Sequence, residues 1–91
     1  MSAPVSRVVL IENKRGLHAR ASAKFVTMAS QLGTPVEVAK DGNRVCGTSI
    51  MGLMMLGAAM GDSVTIRCSG DGAEQSLDAL CGLVEAKFGE D

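Results

Sequence analysis

The sequence predicts an α+β two-layer domain with the element order β-α-β-β-α-β-α, a four-stranded, mostly antiparallel sheet with three helices on one face. Three observations lead there. Short β-rich stretches alternate apolar and polar residues, which leaves one sheet face dry and the other wet. Two longer segments repeat apolar residues at three- and four-residue steps, the period of a helix lying on a core. The chain has 91 residues, 46% of them apolar and 21% charged, which suits one globular domain, 1–91, and not a disordered chain.

The elements follow in order. Val5 to Ile11 (V-S-R-V-V-L-I) reads as the first strand, and N-K-R-G (13–16) as a loop. Ala19 to Leu32 reads as a helix whose apolar face is Ala21, Phe25, Met28 or Ala29, and Leu32. Gly33 stops it, with Pro35 just beyond. Val36 and Val38 alternate with Glu37 and Ala39 in a second strand. Asp41-Gly42 predicts a type I′ hairpin, since both central residues need positive φ, and Arg44 to Cys46 returns as the third strand. Ser49 to about Ala59 reads as a short Met- and Leu-rich helix with Ser49 as its cap. Gly61-Asp62 turns into a fourth strand with Val64, Ile66 and Cys68 on one side and Thr65 and Arg67 on the other. Ala73, Leu77, Leu80, Cys81, Val84 and Phe88 form the stripe of a last helix. Strand order in the sheet does not follow from this pattern.

Composition excludes several function classes. A chain this small has little core to spare for a deep pocket, so function belongs on the surface, with a protein partner. Two aromatics, Phe25 and Phe88, argue against stacking on single-stranded nucleic acid. The net charge of −1 conceals an uneven distribution. Residues 1–24 carry five bases against Glu12, whereas residues 61–91 carry seven acids against two bases. The basic front invites an anion or an acidic partner. Cys46, Cys68 and Cys81 form no C-x-x-C pair and sit among apolar neighbours, as buried, reduced thiols would in a cytoplasmic protein. The opening M-S-A-P-V-S-R has no apolar signal region, and the most apolar stretch, Ile50 to Met60, is too short to span a bilayer. There is no phosphate-binding glycine loop and no His/Cys cluster for a metal, so neither cofactor nor metal is expected.

His18, the single histidine, is the focus. It follows Gly16-Leu17, where glycine allows a tight turn, and immediately precedes the first helix. A helix start leaves backbone N–H groups unpaired and carries partial positive charge, so it favours an anion. The same field disfavours an imidazolium and keeps the ring nucleophilic. Arg20 in the first turn offers a planar, permanently charged fork. Such a site suits a histidine that accepts and gives up a phosphoryl group, with the helix amides and Arg20 stabilising the transferring oxygens.

The segment G-L-H-A-R-A-S-A-K-F-V (16–26) closely resembles the active-site segment of HPr, the histidine-containing phosphocarrier family of bacterial phosphotransferase systems. T-S-I-M-G-L-M-M-L (48–56) resembles the family's regulatory serine and the short helix after it. The element order matches over essentially the whole chain. The resemblance implies the family's open-faced β-sandwich. It implies His18 as phosphoryl acceptor through Nδ1 and Arg20 as the phosphate-stabilising arginine. It also implies enzyme I, charged by phosphoenolpyruvate, as donor and IIA-type proteins as acceptors. Ser49 aligns with the serine that an HPr kinase/phosphorylase modifies in many bacteria. The docking face implied is Ala19, Ala23, Lys24 and Thr27 of the first helix with Met51, Met54 and Met55 of the second, and flexible methionines suit a surface that fits several partners in turn. Two positions depart from the pattern. Ala21 replaces the usual Pro, and Thr48 replaces the Lys often found before the serine. Ala21 and G-L-M-M-L look more like the nitrogen-related branch.

A phosphate on Ser49 would lie at a helix start and add about two negative charges beside the docking face. An alternative function is therefore a regulatory binding protein controlled mainly at Ser49, with the His18 relay secondary. Shape-selective RNA binding is disfavoured by the two aromatics and the negative net charge. A monomer fits a transient carrier.

Overall fold

Strand pairing in the computed structural model, which describes residues 3–90, gives the order β1-β4-β2-β3 in a wholly antiparallel sheet. Met1, Ser2 and Asp91, the last of the acids counted above, lie outside the described residues. The elements are β1 (Val5–Leu10), α1 (Ala19–Leu32), β2 (Val36–Lys40), β3 (Asn43–Cys46), α2 (Ile50–Met55), β4 (Ser63–Cys68) and α3 (Ala73–Glu85). In β4 the alternation decides the layers: Val64, Ile66 and Cys68 are buried, whereas Ser63 and Arg67 are exposed. Val36 and Val38 of β2 and Val9 of β1 join the buried side.

The helices cover that side alone. α3 lies on β1 and β4, and α1 packs on both α2 and α3. Phe25, Leu53, Ile66, Leu80 and Val84 are almost wholly removed from water and form the centre of the core. Ala29 rather than Met28 is the fully buried member of the middle turn of α1. Gly33 ends α1 in the left-handed conformation, and its N–H donates to the Ala29 carbonyl. Asp41 and Gly42 both have positive φ, 52° and 83°, as the two-residue β2–β3 turn requires.

Three sequence expectations are corrected. α2 stops at Met55 rather than about Ala59, because Gly57 takes a φ of 66° that no α-helix accommodates. α3 stops at Glu85, so Phe88 does not belong to its stripe. Phe88 is nevertheless 1% exposed, because Lys87, Phe88 and Gly89 form a left-handed turn that folds the ring back into the core. Cys46 is exposed rather than buried, since it occupies the wet face of β3; Cys68 and Cys81 are buried as expected.

Candidate functional site

The loop from β1 to α1 is laced to the loop that follows α2. The Ile11 N–H donates to the Asp62 carbonyl at 2.8 Å, and the Ile11 carbonyl accepts from Gly61 at 2.8 Å. The Leu17 N–H donates to the Ala58 carbonyl at 3.0 Å. Gly16 lies between these ties with φ 64°, and a Cβ there would stand 2.2 Å from the Ala58 oxygen. Glycine is therefore needed both for its conformation and for the close approach. Ser22, fully buried, donates its hydroxyl to the Leu17 carbonyl at 3.1 Å and braces the loop from the helix side.

This frame makes His18 the N-cap of α1. Its backbone is extended (φ −73°, ψ 179°), and its carbonyl accepts from Ser22, as a first helical bond should. Nδ1 accepts the Arg20 backbone N–H at 3.2 Å, and Nε2 lies 2.6 Å from Glu90 Oε2. These two partners determine the tautomer. A backbone amide only donates, so Nδ1 carries a lone pair; a carboxylate only accepts, so Nε2 carries the proton. The ring is thus a neutral imidazole, hydrogen-bonded to a carboxylate through Nε2, with its Nδ1 lone pair held by the Arg20 N–H in the field of the α1 N-terminus. No acidic side chain stands in the first turn to compete for that field.

Glu90 arrives by way of the left-handed turn. The carbonyl of Phe88 accepts from Lys24 Nζ at 2.7 Å, which pins the strap to α1. Glu90 Oε1 accepts from Asn13 Nδ2 at 3.1 Å, while the same nitrogen donates to the Gly16 carbonyl at 2.8 Å. Asn13 is 1% exposed, and its Oδ1 has no hydrogen-bond partner among the described residues. Burial pushes the Glu90 carboxyl up. Hydrogen bonds from His18 and Asn13, with the charge of Lys24, outweigh it and hold the group below the usual carboxylate value.

The other sequence candidates fall into two groups. Arg20 is exposed beside the ring, and its guanidinium has no ion-pair partner among the described residues, so it is available to an incoming anion. Ala19 and Thr27 are exposed, and Ala23 is half-buried, along the same helix. Met51, Met54 and Met55 are exposed at 70%, 42% and 80% on α2, which packs against α1. Ser49 caps α2, its hydroxyl accepting the Gly52 N–H at 2.9 Å. Lys24 is tied to the C-terminal turn by its bond to the Phe88 carbonyl. Ala21, where Pro was expected, is fully buried in the first turn. Asn13 and Glu90 escaped sequence reasoning. The available signal was the sequence F-G-E (88–90), a large apolar residue and a glycine beyond the end of an amphipathic helix.

The arrangement presents one nucleophilic nitrogen, on a largely shielded ring, at an anion-favouring helix start beside a free guanidinium. Among the described residues no group of three His, Cys, Asp or Glu could hold a metal ion, and no helix is long and apolar enough to cross a membrane.

Comparison with known proteins bears on this geometry. The "PTS HPr component phosphorylation site" family matches residues 5–86. The phosphocarrier protein HPr of Neisseria meningitidis serogroup A is 49% identical over 88% of this chain and 90% of its own. The phosphocarrier protein NPr of Shewanella violacea is 40% identical over 94% of each chain. The crystal structure of HPr-C-His from Thermoanaerobacter tengcongensis superposes with a TM-score of 0.91 at 42% identity, covering 96% of this chain and 98% of that one.

Proposed function

The chain belongs to the HPr family of phosphotransferase-system phosphocarriers, and from that premise we propose that it relays a phosphoryl group on His18 Nδ1 from enzyme I to a IIA-type protein. The observation that carries this reading is the unprotonated Nδ1 at the N-terminus of a 14-residue helix. A donor phosphohistidine brought to α1 meets that lone pair once it gives up the Arg20 N–H. As Nδ1 attacks in line, the donor's P–N bond breaks and the donor ring keeps its electron pair. Negative charge on the three equatorial oxygens then meets the first-turn amides and Arg20. Onward transfer reverses these roles with the acceptor's histidine as nucleophile.

Docking of donor and acceptor falls to Ala19, Ala23 and Thr27 with Met51, Met54 and Met55, beside the reacting nitrogen. Lys24 contributes by holding the strap. The carrier acts as a monomer, since one nitrogen must meet two different active sites in turn. The exposed methionines give Ser49 a regulatory role: phosphorylation there by an HPr kinase/phosphorylase would set roughly two negative charges against an apolar docking patch. The protein carries no cofactor and works in the cytoplasm.

Incubation with phosphoenolpyruvate and purified enzyme I tests the relay by intact mass. One acid-labile phosphate is expected on the wild type and none on His18→Ala; equal uptake by both would refute the reading. Pull-downs with Ser49→Asp separate it from a mainly regulatory role. Loss of enzyme I supports the relay, and new partners gained support the regulator.

A further inference from the structure

We infer that Glu90 is a positioning residue for phosphoryl transfer, held against His18 by the turn at 87–89, Lys24 and Asn13. This deepens the reading of His18 as acceptor and rests on it.

Three independent features converge on the contact. The first is the hydrogen bond itself, 2.6 Å from Nε2 to Oε2, with both side chains mostly shielded from water. The second is backbone strain. Lys87 and Phe88 have φ of 58° and 56°, a conformation that side-chain-bearing residues avoid, and Gly89 follows at 75°. Such strain persists only where the surroundings over-determine it, and it gathers at functional sites. Here the burial of Phe88 and the Lys24 bond to its carbonyl hold the turn, and its result is to lay Glu90 on the ring. The third is the grip on the other carboxylate oxygen by a buried Asn13, which also holds the Gly16 carbonyl of the loop carrying His18. Carboxylate, ring and loop are thus one connected unit.

Its chemistry follows from the charge the ring must carry. When Nδ1 gives its lone pair to phosphorus, the Nε2 proton stays on the ring, which becomes cationic. Glu90, already ionised, then faces that new charge across the same hydrogen bond, and no proton has to leave. When the P–Nδ1 bond breaks, the ring takes back the pair and returns to neutrality. The carboxylate also excludes the tautomer with a proton on Nδ1, in which the nucleophile is blocked. A carboxylate orienting a catalytic imidazole by its second nitrogen does the same in hydrolytic triads.

The test uses the full chain with ¹⁵N-labelled histidine, unphosphorylated and at mildly alkaline pH. The expected wild-type signals are those of a single tautomer, protonated at Nε2. Glu90→Ala should move both nitrogens toward the average of two tautomers. Glu90→Gln keeps an oxygen for Nε2–H but lacks the charge, so it should retain the tautomer. Both variants should accept phosphate from charged enzyme I about ten- to hundredfold more slowly, with KM for enzyme I unchanged. Wild-type nitrogen signals in Glu90→Ala, a proton on Nδ1 in the wild type, or unchanged transfer rates in both variants would overturn the proposal. A Glu90-dependent tautomer in a protein that enzyme I leaves unphosphorylated would overturn the acceptor reading while keeping the clamp.

Discussion

Replacing Gly16 by Ala tests the frame that presents His18. Two costs add. An L-residue held at φ 64° is disfavoured by about 1–2 kcal/mol. The new Cβ would also lie 2.2 Å from the Ala58 oxygen and 2.8 Å from the Ala59 Cα, so backbone must move. Forcing a methyl into such a packed site costs about 1–3 kcal/mol. A central value of about 3 kcal/mol takes a large share of the roughly 5–14 kcal/mol expected for a domain of this size. It corresponds to a fall in Tm of roughly 12–24 °C. Gly33→Ala is the control, because Gly33 has φ 72° with nothing within 4 Å of an added Cβ. It should lose only the conformational part, about 1–2 kcal/mol, or roughly 4–16 °C. The chain has no Trp or Tyr, so far-ultraviolet circular dichroism during heating and urea titration is the suitable assay. Equal losses for the two variants would refute the argument that close approach to the 58–59 backbone dictates glycine at position 16.

Three further outcomes are expected. Arg20→Ala should slow phosphorylation by enzyme I about ten- to a thousandfold, because an electrostatic stabiliser is lost; the exposed side chain makes no internal contact worth a Tm shift of more than a few degrees, so a collapsed melting curve would refute its assignment as a phosphate ligand. Cys46 should be the first thiol alkylated by iodoacetamide in the native protein, because its hydrogen bond with Thr48 lowers its pKa, while burial pushes Cys68 and Cys81 up; peptide mapping that finds Cys68 or Cys81 modified as early contradicts the packing described. The strap should release in acid: a carboxyl whose folded pKa is depressed stabilises above its unfolded value, and that contribution disappears as pH falls through the folded one. Amide signals of residues 87–90 should therefore change below the ordinary carboxylate range, before the sheet unfolds, and their persistence until global unfolding would show that Glu90 does not hold the strap.

Local chemistry explains which parts of this molecule could be read from the sequence. α1 was legible from end to end, because its apolar steps, its histidine start and its glycine stop are all encoded within the segment. The β2–β3 hairpin was legible because Asp41-Gly42 specifies its own turn. The end of α2 was not, since Gly52 inside the helix and Gly57 beyond it look alike in sequence and differ only in the φ that the tertiary structure imposes. Phe88 fell at a helical step from Val84 and Cys81, so periodicity assigned it to α3, whereas its burial comes from a left-handed turn. Cys46 was misjudged because three residues of β3 show too little alternation to tell the wet face from the dry one. At the site, His18 and Arg20 were singled out by their place at a helix start together with the resemblance of G-L-H-A-R to the HPr active-site segment. Glu90 lies 72 residues from His18, and only the folded turn brings them together.

The most direct test of the central claim is the ¹⁵N–³¹P coupling in the histidine-labelled protein after phosphorylation by enzyme I and phosphoenolpyruvate. The geometry predicts that phosphorus is bonded to Nδ1 of His18, with Nε2 still protonated toward Glu90. Phosphorus on Nε2, or on any other residue, would contradict it.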